Sequence, residues 1–147
     1  MDRRRWLKTV GVGALAGLAG CSGIAINDTG SNAALTESDG SVLSLPAVST
    51  DGNAPAGQVQ LTPEGRVVLL NFFSTGCRVC QDEMSVLRAL RAQYDSAELH
   101  MVSITTETDV QAIRTFWNEY DGTWPVCRDS DLQATNRWNV TRYPTNL

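Results

Sequence analysis

VVLLNFF at residues 67–73 is followed, after three intervening residues, by CRVC at residues 77–80. The first run is nearly all apolar, which is typical of a parallel strand that is covered on both faces. Apolar side chains then recur at helical spacing from Cys80 to Tyr94, which predicts an amphipathic helix. Two cysteines separated by two residues, placed where a buried strand gives way to a helix, can make and break a disulfide reversibly.

A CxxC pair also serves zinc sites, so the remaining metal ligands have to be considered. Beyond Cys21, the other cysteine is Cys127 and the one histidine is His100. Neither belongs to a second closely spaced ligand pair, and we therefore expect no metal. Cys127 is typical of a small buried apolar residue, with a third redox thiol near the CxxC pair as the alternative. For His100 a structural role is expected.

From residue 42 onward the apolar pattern alternates between strands and helices. Residues 42–48 and 58–61 flank the turn signal Asp51-Gly52 and predict an N-terminal β-hairpin. Further strands are predicted at residues 99–104 and 124–127, each followed by a helix. The order of elements implies an α/β fold with a parallel sheet and right-handed crossovers.

Two helix starts carry capping signals. Thr108 and Gln111 have the spacing of a capping box. Asp129 or Ser130 is expected to cap the short helix after the third parallel strand. The apolar residues expected on these two helices are Val110, Ile113, Trp117, Tyr120, Leu132 and Trp138.

The charge distribution argues against nucleic-acid binding. The 147 residues carry 12 Lys and Arg against 16 Asp and Glu, and no lysine follows Lys8. After residue 20 the chain has 8 arginines and 15 acidic residues, without a basic stripe that would neutralise phosphates. This acidic, lysine-free composition resembles that of proteins from salt-loving archaea.

The N-terminus has the features of an export signal. Residues 3–8 read RRRWLK, which resembles a twin-arginine motif, and residues 9–20 are mildly apolar but too few to span a bilayer. Residues 18–21 read LAGC and resemble a lipobox, in which Cys21 is lipidated. We therefore expect a twin-arginine lipoprotein signal peptide at residues 1–20. The mature protein is expected on the extracytoplasmic face of the cell membrane, where disulfides persist.

Residues 21–41 are expected to form a flexible tether. They are mostly small and polar, and they cannot bury enough apolar surface to fold alone. Asn27 lies in a glycosylation sequon of this tether, and Asn139 lies in a second sequon. The folded domain is expected at residues 42–147.

The segment VVLLNFFSTGCRVCQDEM at residues 67–84 is similar to the active-site segment of the TlpA/ResA-like thiol-disulfide oxidoreductases. Residues 138–145, WNVTRYPT, resemble the segment of that family that ends in a cis-proline. The two motifs occur in the expected order, and the resemblance covers residues 42–147. It implies a thioredoxin-like fold and a membrane-tethered enzyme that exchanges disulfides with protein substrates, with no cofactor.

The resemblance also implies roles for individual residues. Cys77, at the N-terminus of a helix and beside Arg78, attacks the substrate disulfide, and Cys80 resolves the mixed disulfide. Glu83 matches a buried acid that assists proton transfer at the resolving thiol, with an ordinary surface glutamate as the alternative. Pro144 matches the cis-proline beside the CxxC pair, with a trans turn proline as the alternative.

The same resemblance leads to expectations for three neighbouring positions. Asn71 stands where thioredoxins carry a buried aspartate, which leaves more of the proton transfer to Glu83. The carbonyl of Tyr143, next to Pro144, is expected to be free to pair with substrate backbone. Gly76 stands where the family often has tryptophan, which predicts a more open substrate groove.

A thioredoxin-like fold continues beyond its cis-proline with two antiparallel strands and a final helix. Three residues follow Pro144 in this sequence, so we expect the domain to lack these C-terminal elements and to keep an unpaired sheet edge. An inactive remnant is the corresponding functional alternative.

The implied partners are protein disulfides or dithiols, with apocytochrome c as one candidate, and a membrane electron donor for the CxxC pair. Cytochrome c maturation and general disulfide reduction are both tasks of the family. Two other functions are alternatives. A Sco-like copper module needs two cysteines spaced by three residues and a distant histidine, and a peroxiredoxin needs a Pro-x-x-x-Thr-x-x-Cys loop; the sequence matches neither pattern.

Overall fold

The alternating apolar runs fold into one mixed sheet that carries helices on both faces. A computed structural model describes residues 42–51 and 57–147, which belong to one unit, Ser38–Leu147. The predictions for the signal peptide, for Cys21 and for the tether lie outside the described residues. None of the helices in the described ranges is long and apolar enough to cross a membrane.

The strands in chain order are β1 (Ser44–Ala47), β2 (Gly57–Gln60), β3 (Val67–Phe72), β4 (Leu99–Thr105), β5 (Val126–Arg128) and β6 (Thr145–Asn146). The helices are α1 (Arg78–Gln93), α2 (Val110–Glu119) and α3 (Gln133–Arg137). Within the described residues the sheet order is β2-β1-β5-β4-β3-β6. The central strands β3, β4 and β5 are parallel, and β1, β2 and β6 join them antiparallel. The predicted hairpin and parallel sheet are confirmed.

The direction of the crossovers decides where the helices lie. The chain moves from β3 to β4 to β5 in one direction across the sheet, so two right-handed crossovers place α1 and α2 on the same face. Both helices bury their apolar sides in one cluster with Phe73 and Trp124. The short helix α3 buries Ala134 in a second cluster with Leu70 and Phe72, and the chain then returns to the far edge of the sheet at β6.

Aromatic rings fill the layer between the sheet and α2. The ring of Trp117 lies 5.7 Å from that of Phe73 and 5.1 Å from that of Trp124, centroid to centroid. The indole N–H of Trp117 donates to the Trp124 carbonyl at 3.1 Å. Aromatic pairs of this kind contribute about 0.5–1.5 kcal/mol each beyond their buried area, so this cluster anchors α2 and the segment before β5. Phe116, which the sequence analysis did not place in the core, belongs to it as well.

The predicted capping box at the start of α2 is wrong. The N-cap is Asp109, whose Oδ1 accepts from the backbone N–H groups of Gln111 and Ala112 at 2.9 and 3.1 Å. A carboxylate is a stronger acceptor than the hydroxyl of Thr108 and also favours the positive end of the helix dipole. The helix therefore begins one residue later than a Thr108 cap implies.

At the start of α3, the expectation for Asp129 is confirmed and the expectation for Leu132 is wrong. The carboxylate of Asp129 accepts from the N–H groups of Ala134 and Thr135 at 3.1 and 2.7 Å, as expected of a capping aspartate. Leu132, however, does not lie on the inner face of the helix. It is the N-cap residue, has a φ of 56° and is 42% exposed. The residue before α3 therefore has left-handed backbone geometry although it is not a glycine.

The residues after Pro144 add a strand that the sequence analysis did not expect. β6 pairs antiparallel with β3, with Asn146 opposite Asn71. Leu147 and Leu70 exchange two backbone hydrogen bonds of 3.0 Å. Part of the β3 edge is therefore paired, and Asn146 is brought close to the residues that follow β3.

The contact of Gly122 with the Trp117 indole generates a stability prediction. A Cβ added at Gly122 would overlap the Trp117 ring, which is fully buried. We expect Gly122→Ala to lower the free energy of unfolding by about 1–3 kcal/mol, the usual cost of overpacking. Urea unfolding followed by circular dichroism measures this change. Gly76→Ala is the matched control, since its Cβ would meet nothing within 4 Å, and equal stabilities of the two variants would contradict the packing argument.

Candidate active site

Cys77 and Cys80 form a disulfide at the start of α1, just after the loop that follows β3. Cys77 is the N-cap residue of the helix, with extended backbone angles, and its N–H closes a tight turn by donating to the Ser74 carbonyl at 3.1 Å. Cys80 lies in the first turn of the helix and is only 2% exposed, whereas Cys77 is partly exposed. One sulfur therefore faces solvent and the other is shielded behind it.

The electrostatic surroundings of Cys77 come mainly from the helix. Its Sγ accepts from the backbone N–H of Cys80 at 3.2 Å, one of the donors that a helix start leaves without an intrahelical partner. Such a donor favours negative charge on the sulfur. The Arg78 side chain is 85% exposed and forms an ion pair with Asp82 at 3.5 Å. Its charge is thus partly compensated by a neighbouring carboxylate.

Glu107, which the sequence analysis missed, holds the loop before the cysteines. It follows β4, and its carboxylate accepts from the Ser74 hydroxyl at 3.1 Å and from the Thr75 hydroxyl at 2.9 Å. It also accepts from the Thr75 backbone N–H at 3.2 Å. The Thr105 hydroxyl lies 3.3 Å from the same carboxylate. Glu107 therefore ties the loop at residues 74–76 to the end of β4.

Glu83 is partly buried and lies one helical turn after Cys80. Its Oε2 accepts from Nδ2 of Asn71 at 3.2 Å, and its Oε1 accepts from Nδ2 of Asn146. Nδ2 of Asn71 also donates to Oδ1 of Asn146 at 2.9 Å. The structure therefore brings together two residues that the resemblance singled out, Glu83 and Asn71, and adds Asn146 from β6.

The segment before β6 approaches the same end of the sheet. The Tyr143–Pro144 peptide bond is cis, the geometry that the resemblance implied for Pro144. The phenolic oxygen of Tyr143 lies 3.2 Å from the hydroxyl of Thr106, just beyond β4. No described residue donates a hydrogen bond to the Tyr143 carbonyl.

The surface beside the cysteines is open. A Cβ at Gly76 would find no neighbour within 4 Å. A groove of about 430 Å³ lies beside the loop, between the start of α1 and α2, and Thr75, Gln81, Phe116 and Tyr120 are among the residues that line it. Gly76 and the two cysteines are not among the residues that line this groove, so the more open substrate groove expected from Gly76 stays a prediction.

Cys127 and His100 lie away from the disulfide. Cys127 is fully buried in β5 and belongs to the apolar cluster on the α3 face of the sheet. His100 pairs with Val68 near the start of β3, at the opposite end of the strand from Cys77, and its Nε2 lies 2.8 Å from the Gln60 carbonyl. Burial, with the charges of Arg66 and Arg91, lowers the pKa of His100. In the described ranges no group of three His, Cys, Asp or Glu side chains is arranged to hold a metal ion.

A comparison with known protein families matches residues 39–146 to the family described as Redoxin. The chain belongs to the Redoxin family. This match spans the sheet, the disulfide and the segment at Pro144, and the described part of the chain has the thioredoxin-like fold that the sequence resemblance implied.

The chain is similar in sequence to a curated thiol-disulfide oxidoreductase and to a curated thioredoxin-like protein. Over 88 residues the chain is 32% identical to the thiol-disulfide oxidoreductase ResA of Oceanobacillus iheyensis, covering 59% of this chain and 46% of that protein. Over 84 residues it is 35% identical to the thioredoxin-like protein YneN of Bacillus subtilis, covering 56% and 49%. The chain spans about half the length of the curated relatives it matches.

Solved structures share the fold. A secreted disulfide oxidoreductase of Mycobacterium tuberculosis homologous to Escherichia coli DsbE has a TM-score of 0.59 at 22% identity, covering 71% of this chain and 72% of that one. A DsbE-type protein from Chlorobium tepidum, whose assignment as a thiol:disulfide interchange protein is itself provisional, has a TM-score of 0.61 at 21% identity, covering 71% and 70%. At this level of identity the likeness concerns the fold alone.

The burial of Cys127 generates a prediction about its reactivity. Burial raises the pKa of the Cys127 thiol to about 12, so about one thiol in ten thousand is ionised at pH 8, and the thiolate is the reactive form. We expect iodoacetamide at pH 8 to leave Cys127 unmodified in the folded protein and to modify it in urea. Mass spectrometry of the Cys127 peptide measures the modified fraction, with reduced Cys77 as the internal control. Rapid labelling of Cys127 in the folded protein would show that it is accessible and revive its role as a third redox thiol.

Proposed function

We propose that the chain is a thiol-disulfide oxidoreductase that works through the Cys77–Cys80 pair. The observation that carries this proposal is the disulfide itself, which joins a partly exposed N-cap cysteine to a buried cysteine one turn into the helix. An accessible sulfur beside a shielded one suits a two-step exchange, in which only the first sulfur meets the substrate. Membership of the Redoxin family and the similarity to proteins named thiol-disulfide oxidoreductases support the proposal.

The exchange proceeds through a mixed disulfide. The thiolate of Cys77 attacks one sulfur of the substrate disulfide, a new bond forms to that sulfur, and the other substrate sulfur leaves as a thiolate. The thiolate of Cys80 then attacks the sulfur of Cys77 and releases the second substrate thiol. Two electrons pass to the substrate, and the Cys77–Cys80 disulfide is the oxidised product. The reverse sequence oxidises a substrate dithiol.

Glu83 is the proposed proton acceptor for the second step. Cys80 must lose its proton before it attacks, and it is shielded from solvent water. Glu83 lies one turn further along the same helix, where residues three apart are neighbours. Its carboxylate accepts hydrogen bonds from two amide groups and forms no ion pair with a described residue.

The proposed substrates are protein disulfides, with apocytochrome c before haem attachment as one candidate and general disulfide reduction as the broader task. Acting as a reductant, the pair requires an electron donor, which we place in the membrane. An equilibrium redox titration of the pair distinguishes the directions. A potential of about −270 mV, that of thioredoxin, supports a reductant, and a much higher potential supports an oxidant.

The two cysteines are expected to respond differently to substitution. Cys77→Ser removes the attacking thiol and should abolish reduction of a fluorogenic peptide disulfide. Cys80→Ser removes the resolving thiol and should accumulate the mixed disulfide with the peptide, visible by mass spectrometry. Cys127→Ser is the matched control and should retain activity. Reduction of the peptide disulfide by Cys77→Ser would contradict the proposed mechanism.

We further propose that the protein is exported through a twin-arginine signal and held on the outer side of the cell membrane by a lipid on Cys21. The RRRWLK and LAGC motifs support this proposal. An extracytoplasmic location is also one in which a disulfide pair meets oxidised protein substrates.

The anchor can be tested in the cells that make the protein. We expect the wild-type chain in the membrane fraction and Cys21→Ala in the soluble extracytoplasmic fraction, because the lipidated sulfur is lost. Replacing both Arg3 and Arg4, the two arginines of the motif, with lysine should keep the precursor inside the cell. Immunoblots of the fractions measure both effects. Membrane association that survives Cys21→Ala would exclude a lipid on that residue as the anchor.

A further inference from the structure

A continuous line of hydrogen bonds runs from Glu83 into the core. Asn71 and Ser103 are side-by-side partners of β3 and β4, and the Ser103 hydroxyl donates to Oδ1 of Asn71 at 2.9 Å. The indole Nε1 of Trp124 lies 2.9 Å from the Ser103 hydroxyl oxygen. All three side chains are at most 3% exposed. No buried side-chain N or O atom within the described ranges lacks a hydrogen-bond partner.

The chemistry of the indole fixes the direction of every bond in this line. An indole N–H can only donate, so the Ser103 oxygen must accept from Trp124. The one hydrogen of the Ser103 hydroxyl is then available for Asn71, which must present its carbonyl oxygen to receive it. The amide NH₂ of Asn71 consequently points the other way, toward Glu83 and Asn146.

The same logic continues to the carboxylate. One N–H of Asn71 goes to Oε2 of Glu83 and the other to Oδ1 of Asn146. Because Oδ1 of Asn146 is occupied by that donor, its own NH₂ faces Oε1 of Glu83. Both carboxylate oxygens of Glu83 thus meet N–H donors.

Turning the Asn71 amide over would leave several groups unsatisfied. Its NH₂ would face the Ser103 oxygen, and the serine hydrogen would have no acceptor among its described neighbours. Its carbonyl oxygen would face two further oxygens, those of Glu83 and Asn146. Each buried polar group without a partner is costly, so the indole donor selects one orientation of the amide.

We propose that Trp124 and Ser103 are positioning residues that fix the amide of Asn71 and thereby hold the Glu83 carboxylate in place as the proton acceptor for Cys80. The inference rests on the proposed function of Glu83, and it adds two residues that act through Asn71 without touching the cysteines. It also explains why a hydrogen-bonded pair, Ser103 and Trp124, is buried between the sheet and the helices.

The hydrogen bonds to Glu83 act on its carboxylate in a known direction. Donors aimed at both oxygens favour the charged carboxylate over the neutral acid. When the amide is free to turn, the carboxylate of Glu83 loses one of its two donors. The described hydrogen-bond partners of Glu83 are Asn71 on β3 and Asn146 on β6, neither of which titrates. On its own helix, Cys80 lies three residues before Glu83, and Asp82 pairs with Arg78.

Single-turnover reduction of dithiobis(nitrobenzoic acid) separates the two chemical steps. The reduced protein releases a first coloured thiolate when Cys77 attacks and a second when Cys80 resolves the mixed disulfide. In the wild type, the rate of the second phase should rise as the pH increases from acid values. This rise, the acid limb of the pH profile, should disappear in Glu83→Gln. In Ser103→Ala this limb should move up by about one pH unit, because the freed Asn71 amide can withdraw its hydrogen bond from the Glu83 carboxylate. The first phase should be unchanged.

Two variants separate positioning from a general loss of packing. Ser103→Thr keeps the hydroxyl and should restore the wild-type limb, whereas Val102→Ala removes core volume on the opposite face of β4 and should leave the limb in place. If Ser103→Ala does not fold, Trp124→Phe keeps an aromatic ring, removes the N–H donor and should shift the limb in the same direction. An unshifted limb in the folded variant would overturn the positioning role, as would a limb that survives Glu83→Gln. Absence of the first phase in the wild type would instead contradict the proposed function.

Discussion

The parallel pairing of β3 with β4 is the constraint from which the rest of the site follows. Its register places Asn71 beside Ser103 and brings the ends of both strands to one edge of the sheet. The cysteines follow the first strand at that edge and Glu107 follows the second, so the loop before Cys77 and its anchor meet there. A slip of one residue would turn Asn71 to the other face of the sheet and separate it from α1.

Local patterns made the centre of this arrangement predictable. A run of apolar residues, a short loop and a CxxC pair at the start of an amphipathic helix all lie within residues 67–94, so short-range propensities decide their structure. The hairpin and the order of parallel strands follow from similar signals. The cap of α2 was predicted one residue too early because Thr108 and Asp109 are both capping residues, and only the acceptor geometry in the fold distinguishes them.

The contacts that organise the site had no comparable signature in the sequence. Glu107 reaches Thr75 across 32 positions, and Asn146 reaches Glu83 across 63. Both contacts depend on strand register, and Asn146 depends further on the return of the chain from α3 to the free edge of β3. An acidic residue three positions after the end of a predicted strand was the one available hint for Glu107. Ser103 was indistinguishable from an ordinary small core residue until its partner on β3 was known.

Burial alone does not separate the two kinds of cysteine in this chain. Cys80 and Cys127 are both nearly inaccessible, yet one belongs to a disulfide and the other is a free thiol whose pKa is raised to about 12. The difference lies in the neighbours. Cys127 is in the middle of a strand among apolar side chains that disfavour charge. Cys80 lies in the first turn of a helix, beside a second sulfur and one turn from a carboxylate. Under the proposed mechanism, the partner sulfur and the nearby carboxylate are what allow the buried Cys80 thiol to take part in exchange.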